Sequence, residues 1–162
     1  MRKLIGTALL GALLAGCSGS GASGIGIREG NLAPSFSALS LDGKAVTSED
    51  LAGKPSVLVF WASWCGPCRA EVPHVNEVVA SYGDTVNVVG INLGESPTAA
   101  KQMAGMMKYP SLLDPQSSIG TSYRVSTIPL VVILDGEGRI RYRGTGLPRQ
   151  PHTLLDGLLG DS

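Results

Sequence analysis

Two cysteines three positions apart, Cys65 and Cys68, carry the clearest chemistry in this sequence. They come shortly after an apolar run and open a segment whose valines recur at helical spacing, which predicts that both lie in the first turn of a helix. Cysteines at positions i and i+3 there have adjacent Cβ atoms and can close a disulfide. The free N–H groups and positive dipole end of a helix N-terminus favour the thiolate, the reactive form of cysteine. The spacing therefore predicts a reversible dithiol–disulfide pair that needs no further cofactor.

The two cysteines are expected to play different parts in an exchange reaction. Cys65 is the outer residue and is predicted to attack a substrate sulfur as the thiolate. Cys68 lies one turn further in, is expected to be more shielded, and would resolve the resulting mixed disulfide. Of the residues around them, Trp64 is predicted to be exposed as a substrate contact, and Gly66 and Pro67 form the centre of the motif.

The surrounding sequence predicts the strands and helices that must position this pair. A continuous apolar run is typical of a strand buried on both faces, alternation indicates a half-buried strand, and spacings of three and four indicate a helix. The predicted strands are Phe36–Leu41, Lys44–Thr47, Ser56–Ala62, Val86–Asn92, Leu130–Leu134 and Arg139–Arg143. The predicted helices are a short turn over Glu49–Ala52 capped by Ser48, then Cys65–Tyr82, Thr98–Lys108 and Thr153–Leu159. This order indicates an α/β fold with a mixed sheet and helices on both faces.

Composition and charge limit the classes of function. Apolar residues make up 43% and charged residues 16% of the 162-residue chain, which favours one folded domain over a disordered chain. Lys and Arg total 13, Asp and Glu also total 13, and like charges form no block along the chain. A nucleic-acid partner is therefore not expected.

The N-terminus has the pattern of an export signal. Arg2 and Lys3 precede the 13 uncharged residues Leu4–Gly16, whereas a membrane-spanning helix needs about 20 apolar residues. The run ends in Leu-Ala-Gly-Cys17, which resembles a bacterial lipobox and implies cleavage before Cys17 and lipid attachment to its sulfur. An ordinary cleavable signal with an incidental cysteine is the alternative. The predicted division is a lipoprotein signal peptide over 1–16, a lipid-anchored flexible linker over 17–30 and a folded domain over 31–162.

The cysteine motif and its surroundings resemble the thioredoxin superfamily. The resemblance rests on WCGPC over residues 64–68, on VLVFWAS before it, and on Thr127-Ile128-Pro129 ahead of LVVILD. The export signal, the predicted hairpin and the segments 31–36, 51–55 and 92–96 are similar to the TlpA/ResA-like branch. The resemblance implies a thioredoxin-like central mixed β-sheet with helices on both faces and an extra N-terminal β-hairpin. It also implies a cis peptide before Pro129, facing the disulfide, and backbone groups of Ile128 that pair with a substrate strand.

Two positions concern proton handling. Cytoplasmic thioredoxins have a buried Asp six residues before the first cysteine, where this sequence has Val59. Glu95 lies in the segment where ResA-type proteins carry an acidic residue near the active site. The resemblance therefore implies that Glu95 takes over the proton-handling role, and a solvated loop carboxylate is the alternative.

On this resemblance, the chain is expected to be an extracytoplasmic, membrane-tethered thiol–disulfide oxidoreductase. The Gly66-Pro67 centre favours a reductase of protein disulfides, and the implied partners are substrates such as apocytochrome c and a membrane thiol–disulfide electron donor. A disulfide-donating oxidase is one alternative. A non-catalytic metal-binding module is another, although there is no second cysteine pair and His74 and His152 are distant in sequence. A peroxidase is not expected, because Ala62 stands where the peroxiredoxin type needs Thr.

Overall fold

One seven-stranded mixed sheet organises residues 24–160, the part of the chain that the computed structural model describes. In chain order the strands are β1 (Ser37–Ser40), β2 (Ala45–Thr47), β3 (Ser56–Trp61), β4 (Asn87–Leu93), β5 (Ser111–Asp114), β6 (Leu130–Leu134) and β7 (Ile140–Gly144). The α-helices are α1 (Gly66–Tyr82), α2 (Pro97–Ala104), α3 (Ser118–Ser122) and α4 (Pro151–Gly160), and short 3₁₀ helices cover Ser48–Leu51 and Gly83–Thr85. The strand order across the sheet is β2-β1-β5-β4-β3-β6-β7.

The strand directions bring three loops to one edge of this sheet. β3 and β4 are parallel, with Trp61 opposite Asn92, and β6 is antiparallel to β3, with Leu130 opposite Phe60. The ends of β3 and β4 therefore lie beside the start of β6. The loops over residues 62–65, 94–96 and 126–129 meet at this edge, where ligands commonly bind in sheets of this type.

Apolar layers cover both faces of the sheet, as predicted. On one face, α3 and the first 3₁₀ helix pack against the central strands, and the rings of Phe60 and Tyr123 lie 5.1 Å apart between centroids. On the other face, α1 and α4 enclose a cluster of mainly valine and leucine side chains. Further along that face, α1 and α2 pack around the fully buried Trp61 and the two cysteines. The cysteines are thus built into the core and not only into a surface loop.

The predicted N-terminal hairpin is confirmed, with a correction to the turn that follows it. β1 and β2 pair antiparallel, and Gly43 in the turn between them has a φ of 85°, which favours glycine. The cap of the 3₁₀ helix is Thr47 and not Ser48, because the N–H and Oγ of Thr47 donate to Asp50 at 2.8 and 2.9 Å. The predicted helix over 98–108 is also shorter, since α2 ends at Ala104.

Besides the short 3₁₀ helix over Gly83–Thr85, the strand β5 and the helix α3 were absent from the sequence prediction. β5 lies between β4, to which it is parallel, and β1, to which it is antiparallel. The five-residue α3 begins at Ser118 and is fixed by the buried carboxylate of Asp114, which accepts hydrogen bonds from the N–H groups of Ser118 and Gly120 at 2.8 Å each. β5 is held by pairing with strands distant in sequence, and α3 is held by the side chain of Asp114. Neither element has a periodic pattern of apolar residues that would identify it from the sequence.

The N-terminal part of the described chain lies against the domain. The N–H of Gly30 donates to the carbonyl of Ile140 at 2.8 Å, and Ile25 forms a bridge with Leu32. Residues 24–30, the last part of the predicted linker, therefore contact the edge of the sheet near the start of β7. The predicted signal peptide over 1–16, the predicted lipid attachment site Cys17 and residues 18–23 lie outside the described residues. Within residues 24–160, no helix is both long and apolar enough to cross a membrane.

Candidate active site

The turn from β3 into α1 positions both cysteines. β3 ends at Trp61 and α1 begins at Gly66, so Cys65 is the N-cap residue and Cys68 lies in the first turn, as predicted. The two form a disulfide with a Cα–Cα distance of 5.2 Å. The N–H of Cys68 points at Cys65 Sγ, at 3.1 Å from N to S. On reduction the same N–H and the helix dipole would stabilise a thiolate on Cys65.

The expected difference in shielding between the two cysteines is not seen. Cys65 is 4% exposed and Cys68 is 3% exposed, so burial alone does not distinguish an attacking from a resolving sulfur. The distinction lies in their neighbours, because Cys65 holds the N-cap position and follows Trp64, whose side chain is 75% exposed. Gly66 and Pro67 are exposed as well, which leaves this corner of the domain open to a partner.

The loop before β6 lies directly beside the disulfide. The peptide bond between Ile128 and Pro129 is cis, which confirms the prediction for this position. The carbonyl oxygen of Ile128 lies 3.7 Å from Cys65 Sγ. The antiparallel pairing of β6 with β3 brings the two segments together, although 63 residues separate them in the chain.

Glu95 lies in the same corner and holds the loop that leads to Cys65. Its Oε2 accepts hydrogen bonds from the N–H of Ser63 at 2.7 Å and from Asn92 Nδ2 at 2.6 Å. Its Oε1 accepts one from Ser63 Oγ at 2.5 Å. Partial burial opposes ionisation, but the hydrogen bonds from Ser63 and Asn92 outweigh it and hold the pKa of Glu95 below its usual value of 4.5. The carboxylate is therefore charged at neutral pH and anchors Ser63, two residues before Cys65.

Sequence reasoning missed Ser63 and Asn92 as the partners of Glu95. Asn92 is completely buried on β4, and its Oδ1 accepts no hydrogen bond from the described part of the chain. An asparagine inside the apolar run of a central strand was a signal that could have been used, because a buried amide needs a polar partner. Ser63 had no comparable signal.

Trp61 forms the floor beneath the cysteine turn. Its indole lies across Gly90 of β4 and donates from Nε1 to Ser111 Oγ on β5 at 2.9 Å. A Cβ added at Gly90 would come within 2.9 Å of that Nε1. Val59, at the position of the buried Asp of cytoplasmic thioredoxins, is 3% exposed and packs among the apolar side chains between the sheet and α1.

No group of three or more His, Cys, Asp or Glu side chains within residues 24–160 is placed to hold a metal ion. What this end of the sheet does offer is a disulfide at a helix N-terminus, an exposed tryptophan and the Ile128 carbonyl oxygen beside Cys65 Sγ. A thiolate at Cys65 can attack a disulfide bond, and Cys68 is close enough to complete the exchange. The fold and this site define a thioredoxin-like protein that exchanges thiols and disulfides.

Comparison with known proteins gives the family. A family model described as Redoxin matches residues 28–158, and the chain belongs to that family. Thioredoxin-like protein YneN of Bacillus subtilis (strain 168) is 34% identical over 139 residues, which cover 82% of this chain and 81% of that protein. Thiol-disulfide oxidoreductase ResA of Bacillus anthracis is 32% identical over 133 residues, or 80% of this chain and 76% of that protein.

Solved structures agree with this assignment. A thiol:disulfide interchange protein of Chlorobium tepidum TLS superposes with a TM-score of 0.70 at 27% identity, covering 82% of this chain and 98% of that one. The structure of MTB dsbF gives a TM-score of 0.68 at 30% identity, covering 76% and 94%. The chain is thus a thiol–disulfide oxidoreductase of the TlpA/ResA-like branch of the thioredoxin superfamily.

Proposed function

We propose that this protein reduces disulfides in other proteins outside the cytoplasm, tethered to the membrane through a lipid on Cys17. The observation that supports the chemistry is the position of Cys65, which caps α1 with the N–H of Cys68 at its sulfur and lies beside the Ile128 carbonyl. The proposed substrates are protein disulfides, including the cysteine pair of apocytochrome c. The proposed electron donor is a thiol–disulfide carrier of the membrane.

The proposed reaction consists of two exchange steps. The Cys65 thiolate attacks one sulfur of the substrate disulfide, so that a Cys65–substrate bond forms and the other substrate sulfur leaves as a thiolate that takes up a proton. Cys68 then loses its proton and attacks Cys65 Sγ, and the second substrate sulfur leaves as a thiolate that also takes up a proton. Two electrons and two protons pass from the dithiol to the substrate, and the donor later reduces the Cys65–Cys68 disulfide.

The backbone around the site suits a strand-like substrate. The Ile128 carbonyl beside Cys65 can accept a hydrogen bond from an extended substrate segment, in the manner of strand addition to a sheet. The exposed side chain of Trp64, the residue before Cys65, offers apolar surface to a substrate. These two contacts would align a substrate sulfur with Cys65 without a deep pocket.

The proposed direction depends on the Gly66-Pro67 centre and is tested by the reduction potential. Equilibration with glutathione or dithiothreitol buffers should give a value near about −270 mV, as for thioredoxin, and far from the about −120 mV of a strong oxidant such as DsbA. A potential close to the oxidant value would show that the protein donates disulfides. The same titration on a Pro67→His variant serves as a control for the contribution of the centre.

The proposed substrates are tested by trapping. A Cys68→Ala variant expressed in cells should attack through Cys65 and remain joined to its substrates as mixed disulfides. The matched control is a Cys65→Ala, Cys68→Ala double variant, which cannot attack. Apocytochrome c among the proteins captured only by the single variant supports the proposal, and capture no greater than the control contradicts it.

A further inference from the structure

A small pocket lined in part by polar side chains lies next to the loop that faces the disulfide. Its volume is about 150 Å³, and it is lined by Ser126, Thr127, Leu130, Arg143, Gly144 and Thr145. Thr127 is the residue directly before Ile128, whose carbonyl oxygen lies 3.7 Å from Cys65 Sγ. A peptide that pairs with the backbone at Ile128 would therefore pass the mouth of this pocket.

Arg143 gives the pocket its charge. Its Nη2 donates to the carbonyl oxygens of Tyr123 and Arg124 at 2.8 and 3.0 Å, which fixes the guanidinium in place. The Nε is enclosed and finds no hydrogen-bond acceptor in the described part of the chain. Among residues 24–160, no carboxylate lies within 4.0 Å of the Arg143 guanidinium. A half-buried guanidinium favours an anionic occupant when its two carbonyl hydrogen bonds are not accompanied by an opposite charge among residues 24–160.

The rest of the lining suits a carboxylate. Ser126, Thr127 and Thr145 are exposed residues that offer three hydroxyl groups, and the pocket lining found within residues 24–160 contains no acidic side chain. Hydroxyl donors beside a fixed guanidinium are the groups that bind a carboxylate through charge-assisted hydrogen bonds. The enclosed Nε itself is not accessible, so an occupant would use the charge of the guanidinium and these hydroxyls.

We infer that this pocket is a subsite for an acidic side chain of the protein substrate, close to the cysteine that Cys65 attacks. The inference rests on the proposed exchange with protein disulfides, but not on the direction of that exchange. Arg143 then acts as a specificity-determining residue that does not touch the reacting sulfurs. Substrates with Asp or Glu near the reactive cysteine would bind more tightly than neutral ones.

The test uses reduced full-length protein and pairs of disulfide-bonded peptides that differ only by Glu or Gln at one position near the cysteine. One position should show faster exchange of the Glu peptide, by about threefold to tenfold, with the difference in KM rather than kcat. The preference should weaken as salt is added, because the pair is close to the surface.

Variants then assign the preference to the pocket. Arg143→Met should abolish it, while Arg141→Gln, which removes a guanidinium paired with Asp135 outside the pocket, should keep it. Since Arg143 also holds two carbonyls, Thr145→Glu provides a second test. A carboxylate at this exposed position should reverse the preference in favour of Gln. Thr145→Gln, which removes one hydroxyl without adding a charge, should weaken the preference for Glu but not reverse it.

Equal exchange of Glu and Gln peptides by the wild-type protein at every position would overturn the inference. A preference that survives both Arg143→Met and Thr145→Glu would overturn it as well. Failure of both peptides of every pair to react is a different result, because it would overturn the proposed exchange with protein disulfides and this inference with it.

Discussion

At the scale of single residues, the surroundings of Glu95 limit what its carboxylate can do. Three hydrogen bonds from Ser63 and Asn92 hold it, and its pKa lies below the usual 4.5, so it has no proton to give at neutral pH. An ionised carboxylate can still accept a proton, but the lowered pKa makes it a weaker base. Its other effects on Cys65 are a negative charge, which opposes a nearby thiolate, and an anchor for the loop over Ser63. These contacts favour a positioning role over direct proton transfer.

Comparing Glu95→Gln with Ser63→Ala should separate the two effects. In Glu95→Gln, loss of the negative charge should let iodoacetamide alkylate Cys65 at lower pH. The amide keeps one acceptor oxygen where the carboxylate has two, so the loop over Ser63 should be held less firmly and disulfide exchange should slow. Ser63→Ala is the matched control, since it removes one hydrogen bond but keeps the charge. It should slow exchange with little change in the pH profile of alkylation. A Glu95→Gln protein that matches wild type in both measurements would remove Glu95 from the site.

Glu95 should also make stability depend on pH. Its pKa is lower in the folded protein than in the unfolded chain, so its ionisation stabilises the fold above the unfolded value, which is near 4.5. That contribution is lost as the pH falls through the lower, folded value. In urea unfolding of the oxidised protein, the difference between wild type and Glu95→Gln should be largest near neutral pH and shrink below 4.5. A difference that stays constant or grows on acidification contradicts the lowered pKa.

At the scale of elements, the absence of a side chain at Gly90 leaves space for the indole of Trp61 to pack against β4 beneath the cysteine turn. A Cβ there would lie 2.9 Å from Trp61 Nε1 and 3.0 Å from Ser111 Oγ. Both atoms are buried, and Trp61 Nε1 donates a hydrogen bond to Ser111 Oγ. Gly90→Ala should lower the free energy of unfolding by about 1–3 kcal/mol. Gly157→Ala is the control, because a Cβ at Gly157 in α4 meets nothing within 4 Å. It should raise stability by about 0.5–1 kcal/mol. Urea unfolding measures both, and equal effects would contradict the close packing at Gly90.

The elements that could be predicted from the sequence are those whose residues carry their own pattern. The apolar runs of β3 and β6 and the spaced valines of α1 identify these elements within one residue of their observed bounds. β5 could not be found this way, because four residues between two prolines are a strand only through pairing with β4 and β1. The end of α2 at Ala104 could not be placed either, since methionines at helical spacing continue beyond it.

The same limit applies to the candidate site. Cys65, Cys68 and Pro129 were found because a short motif or a resemblance marks them, and Glu95 was found through its segment. The hydrogen bonds of Glu95 to Ser63 and Asn92 depend on the end of β4 lying beside the end of β3. Such a contact follows from sheet register and not from any local pattern. The pocket around Arg143 depends in the same way on β7 lying beside β6.

At the scale of the whole molecule, the disulfide and the N-terminal segment lie at opposite ends of the sheet. β3 begins at Ser56, opposite Leu134, and its six residues lead towards Cys65. Ile25 forms a β-bridge with Leu32, and Leu32 forms one with Arg139, just before β7. The start of β7 lies at the same end of the sheet as the start of β3. At 3.3 Å per residue, the two ends are about 20 Å apart. A chain anchored before residue 24 would therefore present the disulfide away from its anchor.

Lipid attachment at Cys17 is the condition for that orientation and can be measured directly. Mass spectrometry of protein isolated from membranes should show an acylated Cys17 as the first residue, since the uncharged run and Leu-Ala-Gly-Cys end there. Cys17→Ser should abolish acylation and either release the protein from the membrane or leave it unprocessed. An unmodified N-terminus at another residue would contradict the proposed anchor.

The orientation itself can be tested with tryptophan fluorescence, because both tryptophans of the chain, Trp61 and Trp64, lie at the disulfide end. From Cys17 to residue 24 the chain can span at most about 25 Å. The disulfide end could therefore reach the bilayer only if the domain inverted and the segment between Cys17 and residue 24 were nearly fully extended. Acylated protein on vesicles with a short-range quencher on the lipid headgroups should therefore keep its tryptophan emission. Ile25→Trp adds an indole at the opposite end, at a side chain 76% exposed, and should add a fraction of emission that is quenched. Quenching of the wild-type emission would place the disulfide end on the membrane and overturn the orientation.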